Sequence, residues 1–294
     1  MKRIHCEGAP RDLGRDQGSA LRAEIRVALG CEGTLRRLLA LRRDDASARL
    51  ARDLRRYFPH QSEWLEGMAR AAGVPERALL RALAAGAGPD AAPSAALAAG
   101  DAVRVVIPVP ARSTVRLVRP EGRFASVELA LPTAIAPLAG VNEAGLAVAT
   151  VPRGWRPGRF APSVALFARD CLERFENVLP ALEWCLSRPA AEGGMLLLAD
   201  ARGERVVVDA SAPRRRAVAP VDGWLAAGLS GAPPPARVKR GDIADPDVLE
   251  SALVTALAIH APRVDTAGVL DPGGRRLRTS GAEWIPVAGA GDAA

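Results

Sequence analysis

Four cysteines, three histidines and a few well-placed serines are the side chains of this 294-residue sequence with the intrinsic chemistry of nucleophiles and bases. Their spacing decides how much of that chemistry is usable. Cys31 follows Gly30 but continues the apolar helical face of Leu21, Ile25 and Leu35, so it reads as a core thiol. Cys171 and Cys185 sit in apolar helical patterns and read the same way, and Cys6 lies close to the amino terminus. No C-x-x-C pair and no histidine at ligand spacing accompanies any of them, which points away from a metal site and from a disulfide framework. Among the histidines, His5 is near the terminus, His60 follows a proline that ends a helical pattern, and His260 falls near a helix C-terminus, where it suits the helix dipole. Ser94, in Ala92-Pro93-Ser94-Ala95-Ala96, is chemically competent but also suits a hinge. A triad of Ser94 and His260 lacks the strand-to-helix elbow that would present such a serine. Gly193-Gly194 and Gly273-Gly274 lack the strand, helix and lysine context of phosphate loops, so no cofactor is expected.

Around these residues the chain is 49% hydrophobic and 25% charged, with a net charge of +7. Only Lys2 and Lys239 among the 40 basic residues are lysines, a bias that looks like coding in a GC-rich genome. The arginines alternate with acids on helix faces, and stacking aromatics are scarce, which argues against nucleic acid as a partner. No window of about 18 apolar residues spans a membrane and no signal-peptide stretch follows Met1. The expectation is a cytoplasmic protein with reduced thiols. A chain of this length buries roughly three quarters of its unfolded surface without staples.

The elements follow from hydrophobic period. Helical patterns run from Asp16 to Leu41, from Ser47 to Phe58, from Ser62 as N-cap to Gly73, and from Pro75 to Leu83, with 86–93 as a small-residue hinge. The period then falls to two over Val103 to Val109, Thr114 to Val118, Ala125 to Leu131 and Leu146 to Val151. Two helices, Val164 to Phe175 and Val178 to Leu186, precede strands at Met195 to Ala199, Arg205 to Ala210 and Arg216 to Val221. Asp245 or Asp247 caps a last helix through Ile259. Helices first, then strands joined by hairpin-length turns, predict an α+β layered body rather than alternating βαβ units.

Four stretches in this order resemble the acyl-CoA:6-aminopenicillanic-acid acyltransferase family of N-terminal-nucleophile (Ntn) hydrolases, also called the peptidase C45 family. They are Gly8 to Gly18 (G-A-P-R-D-L-G-R-D-Q-G), Glu63 to Val74 (E-W-L-E-G-M-A-R-A-A-G-V), Gly140 to Val148 (G-V-N-E-A-G-L-A-V), and Arg169 to Ser211 with R-D-C-L-E and the hairpin L-L-L-A-D-A-R-G-E-R-V-V-V-D-A-S. The resemblance covers about 200 residues and implies an αββα Ntn-hydrolase-like sandwich with an N-terminal helical segment. It divides the chain into a helical segment over 1–92, equivalent to a pro-segment that relatives remove autocatalytically, a core over 93–285 and a flexible tail over 286–294. It also implies acyl transfer or amide hydrolysis on a small acylated or amide-containing molecule, with homo-oligomer or partner-protein contacts left open.

The resemblance fails where the chemistry should be. Relatives begin their first core strand with a nucleophilic cysteine whose own α-amine serves as base; here Ser94 is the nearest competent residue. Their Arg-Asn-x-Asp element is replaced by Val105-Val106-Ile107-Pro108-Val109-Pro110, an oxyanion-hole asparagine by Val151-Pro152, and a Thr-Asn pair by Leu229-Ser230-Gly231. The sequence therefore predicts a pseudoenzyme with a retained binding role, Arg104, Arg112, Asn142, Pro152 and Ser230 being pocket candidates. The alternative is an active amidohydrolase or N-acyltransferase using Ser94 or a rebuilt site. Plain structural readings stand beside these: Asn142 and Gly145 suit a tight turn, Asp200 and Gly203 punctuate a hairpin, and Asp209 reads as a salt-bridge partner.

Overall fold

The computed structural model describes residues 1–31, 45–85, 96–99, 103–152, 164–188, 194–210, 215–220, 224–227, 251, 254–255, 266–279 and 282–287. Fourteen strands form two sheets among them. The first sheet runs β1(Arg3–Gly8), β4(Thr114–Pro120), β5(Ser126–Ala130), β6(Ala139–Asn142), β7(Leu146–Pro152), β8(Gly194–Asp200), β9(Arg205–Asp209) and β10(Arg216–Val218). It is antiparallel except where β1 joins β4 in parallel. The second, wholly antiparallel sheet runs β11(Trp224–Ala227), β2(Ala96–Ala99), β3(Arg104–Pro108), β12(Ala267–Asp271), β13(Arg276–Thr279) and β14(Ile285–Pro286).

Strand alternation sorts the core into layers. Val115, Val127, Leu129, Val141, Ala147, Ala149, Leu197 and Ala199 of the first sheet meet Val105, Ile107 and Leu270 of the second. The intervening residues, such as Cys6, Val118, Leu146, Val148, Leu196 and Leu198, point the other way and pack under the helices. Side chains at successive positions reach opposite faces, so a strand covered on both sides reads as continuously apolar. In the second sheet, Val106 and Val269 alternate with the inter-sheet residues and are also fully buried. Its outer face is therefore covered, completing the αββα order that the sequence predicted. Only Ser251, Val254 and Thr255 of the expected last helix fall among the described residues, and they are helical.

The helices on the first sheet are α1(Pro10–Ala20), α2(Arg22–Ala28), α3(Asp45–Tyr57), α4(Pro59–Ala72), α5(Glu76–Ala85), α6(Ala165–Arg174) and α7(Val178–Ser187). Their patterns are legible in the sequence, but several bounds differ from expectation. The first helix starts at Pro10, not Asp16, and breaks at Leu21; residues 32–44 lie outside those described. Pro59 opens α4 at its first turn, where its missing N–H costs nothing, so Ser62 lies inside the helix and is not its cap. Gly73 does end it, in the left-handed conformation at φ 67°.

The segment that reads as purely helical also contains β1, an edge strand of the first sheet. Its alternation is short, and His5 and Glu7 on the outward positions hide it. At the other end, Pro286 pairs with Arg276 and the Val287 amide donates to the Arg275 carbonyl. Of these two residues, expected in a flexible tail, Pro286 is therefore part of the sheet and Val287 is tied to it by its amide; 288–294 lie outside the described residues.

Candidate functional site

Register brings four strand ends to one end of the second sheet. Leu97 pairs with Val106 and Ala96 with Ala227, while Pro108 pairs with Ala267. The start of β2, the ends of β3 and β11 and the start of β12 therefore converge. This is where the resemblance places a nucleophile on β2 and its partners on β3. The side chains of Ala96, Ile107, Pro108, Val109, Ala227 and Ala267 there are apolar. Pro108 and Pro110 also lack the backbone N–H that could serve an oxyanion. Among the described residues this end holds no cysteine, histidine or charged group, and the half-buried Thr266, whose carbonyl accepts from the Val109 amide at 2.9 Å, supplies its hydroxyl.

The named candidates are dispersed. Arg104 pairs with Ala99 at the opposite end of β3, roughly 10 Å along the strand from Ala96 at about 3.3 Å per residue. It is 8% exposed and its Nη1 donates to Asp271 Oδ1 at 2.8 Å, so it is a buried ion-pair partner and not part of a pocket mouth. Arg112 is exposed in the turn between β3 and β4. Pro152 closes β7, with its side chain outside the described residues. Ser94, Ser230 and His260 lie outside the described residues as well.

Asn142 has a complete set of internal partners. Its Nδ2 donates to the Leu172 and Phe175 carbonyls at 2.9 and 2.8 Å, and its Oδ1 accepts from the Leu146 amide at 2.8 Å. It fastens the β6–β7 turn to the end of α6. The other positions of G-V-N-E-A-G-L have matching tasks. Gly145 adopts φ 94°, and Glu143 Oε1 accepts from the Ala125 amide. A Cβ at Gly140 would lie 2.9 Å from both Glu128 Cγ and Leu172 Cδ1. The motif is thus a mount for α6. Asp200 acts similarly, accepting from Arg202 and Glu204 in its own hairpin and from Val178 at the start of α7. Asp209, read as a salt-bridge partner, accepts from Arg216 at 2.9 Å.

The strongest electrostatic feature lies on the helix-facing side of the first sheet, and no sequence motif announces it. Arg116, Glu128 and Gly140 are direct cross-strand neighbours there, and Gly140 leaves room for Arg169 to descend from α6. Glu128 Oε1 accepts from Arg169 Nη1 at 2.6 Å and Ser126 Oγ at 2.7 Å; Oε2 accepts from Arg169 Nη2 at 2.7 Å and Arg116 Nη2 at 2.9 Å. Burial alone would raise the Glu128 carboxyl, but Arg169 and Arg116 outweigh it and hold it below the ordinary carboxylate range. Both guanidiniums lie over the Trp64 ring, at 4.4 and 5.4 Å. Gln17 joins α1 to this network, accepting from Arg116 Nη1 and Trp64 Nε1 at 2.9 Å each.

A second cluster borders the first. His60 Nε2 donates to Asp170 Oδ1 at 2.7 Å, and Gln61 Nε2 donates to the same oxygen at 2.8 Å. Glu173 lies 3.9 Å from His60 and 3.8 Å from Arg169 Nε, too far for hydrogen bonds. Burial pushes its carboxyl up, with Arg169 and His60 opposing. Correcting the sequence reading, His60 is the second residue of α4 and a partner of α6, not a residue stranded after a helix end. No group of three or more metal-ligating side chains occurs among the described residues.

The described N-terminal helices dock through glycines. A Cβ on Gly14 would sit 1.9 Å from the Trp64 carbonyl oxygen, and one on Gly67 would sit 2.1 Å from that of Arg11. These glycines bring α1 against α4 and so place Gln17 beside Trp64. The spaced glycines of the first two family-like stretches thus have a packing reason.

No family model and no curated protein matches the sequence. Among solved structures, the chain is similar to a Caenorhabditis elegans N-acylethanolamine-hydrolyzing acid amidase ortholog, at 12% identity over 61% of this chain and 93% of that one, TM-score 0.44. It is similar to a variant of the conjugated bile acid hydrolase from Clostridium perfringens, at 10% identity over 65% and 92%, TM-score 0.43. It is also similar to penicillin V acylase from Agrobacterium tumefaciens, at 13% identity over 65% and 85%, TM-score 0.40. Identities this low assign no role to any residue of this chain.

Proposed function

We propose that this protein is an Ntn-hydrolase-like homologue of the acyltransferase family named above that has lost the usual catalysis and keeps its sandwich to bind a small acylated or amide-containing molecule. One observation carries the reading: among the described residues the converging ends of β2, β3, β11 and β12 present apolar side chains and the Thr266 hydroxyl, with no cysteine and no ionised group, where the family's chemistry needs them. A missing oxyanion donor alone costs about 3–4 kcal/mol of transition-state stabilisation. An apolar strand end is still suited to an acyl chain. The four cysteines are free and buried, in keeping with a reducing cytoplasm, and no helix among the described residues is long and apolar enough to cross a membrane.

A second reading keeps catalysis. Ser94 lies two positions before Ala96, the first residue of β2, close to the place of the family's nucleophile. Cleavage of the Pro93–Ser94 bond would free an α-amine to take the hydroxyl proton as oxygen attacks an acyl carbonyl. Turnover of acyl-amino compounds or acyl-CoA donors that disappears in Ser94→Ala supports this reading. Thermal stabilisation by acyl amides without turnover supports the first, because a ligand that binds only the folded state raises its stability.

A further inference from the structure

Two thiols meet in the hairpin of α6 and α7. Cys171 Sγ and Cys185 Sγ are 3.6 Å apart, and both residues are fully buried and free. The helices are successive, joined through Phe175–Asn177, and both pack on strands of the first sheet, which holds the two thiols in contact. A disulfide needs sulfurs about 2.05 Å apart, so a closure of about 1.5 Å brings these to bonding distance.

We propose that Cys171 and Cys185 form an oxidation site, converted to a disulfide by a two-electron oxidant such as hydrogen peroxide. Attack of one sulfur on the peroxide breaks the O–O bond and gives a sulfenic acid and water. The second sulfur then attacks the first, expelling the sulfenic oxygen as a second water. Two thiols lose two protons and two electrons, and one peroxide becomes two waters. Whichever sulfur reacts first, its resolving partner is already in contact, which favours the disulfide over further oxidation.

The surroundings set the rate. Burial, and then the hydrogen bond with Cys185, keep the Cys171 thiol well above its ordinary value, so little thiolate is present in the closed hairpin. Reaction therefore proceeds through local opening of a hairpin whose outer surface already exposes Leu179 and Leu186. The other two thiols give an internal contrast. Cys6 is buried under the ion network, with its thiol pushed up to about 12 chiefly by burial, and the Cys31 thiol faces the Leu29 carbonyl at 3.6 Å.

The test is peptide mapping without reduction, after full-length protein is treated with hydrogen peroxide and remaining thiols are blocked with N-ethylmaleimide in denaturant. The expected product has lost two hydrogens, carries maleimide on Cys6 and Cys31 only, and joins the Cys171 and Cys185 peptides. Dithiothreitol restores the starting mass. The oxidised chain melts roughly 5 °C higher, and Cys31→Ala leaves the crosslink unchanged. Cys185→Ala abolishes the crosslink; should that variant fold poorly, the wild-type map decides alone. Maleimide on all four cysteines, sulfinic acid at Cys171 without a crosslink, or a bond involving Cys6 or Cys31 would each overturn the proposal.

Discussion

Arg169 grips Glu128 with two parallel charge-assisted hydrogen bonds, Nη1 to Oε1 at 2.6 Å and Nη2 to Oε2 at 2.7 Å, in the covered layer between helix and sheet. Arg116 shares the same carboxylate from the neighbouring strand. Removing the acid leaves two buried guanidiniums facing each other without their counter-charge. Glu128→Gln is expected to destabilise the fold by about 3–5 kcal/mol, read by urea unfolding. A loss under about 1 kcal/mol would show that other groups compensate the arginines.

The two buried acids carry opposite pH dependence. Glu128 is held below its ordinary value of 4.5, so its stabilising contribution is present above that pH and disappears as pH falls through the lower folded value. Glu173 is raised above 4.5, so its contribution is complete below that pH and disappears as pH rises through the higher folded value. Glu173→Gln should therefore flatten the decline in stability above pH 4.5 and leave the acid limb in place. A steeper decline in that variant would mean that Glu173 is needed as an anion.

Space and backbone conformation can be separated at two glycines. Gly14→Ala places a methyl 1.9 Å from the Trp64 carbonyl oxygen and is expected to cost about 3 kcal/mol or more as α1 is pushed off α4. Gly30 has φ 63°, and a Cβ there would meet no atom within 4 Å, so Gly30→Ala should cost only about 1 kcal/mol of backbone strain. Equal losses, compared by urea unfolding, would contradict glycine-mediated docking of the two helices.

Asn142 distinguishes a mount from a binding group. With three internal hydrogen bonds, Asn142→Ala is expected to lose about 2–4 kcal/mol of stability, while ligand affinity per folded molecule stays unchanged. Thermal melts with and without an acyl amide read both quantities. Weakened binding at full stability would return Asn142 to the pocket.

Much of the scaffold is legible in the sequence because its physics is local. The runs at 105–109 and 146–149 are apolar on consecutive residues, and the strands fall there because both their faces are covered. Strands β11 to β14 are not legible: W-L-A-A and R-L-R-T contain little β-branched character, and their pairing comes from partners far along the chain. The ion network is hidden for the same reason. Arg116 and Glu128 occupy alternating strand positions that read as solvent-facing, and their burial depends on Arg169, 41 residues beyond Glu128. The family-like glycines are visible as a pattern, whereas their reason, the contact of α1 with α4, exists only in three dimensions.

Whether the chain cleaves itself is decided by intact-mass spectrometry of the purified protein. One species at the mass of the uncleaved 294-residue chain is expected. Two fragments divided between Pro93 and Ser94, with Ser94→Ala restoring the single species, would refute the proposal of an uncleaved, non-catalytic chain.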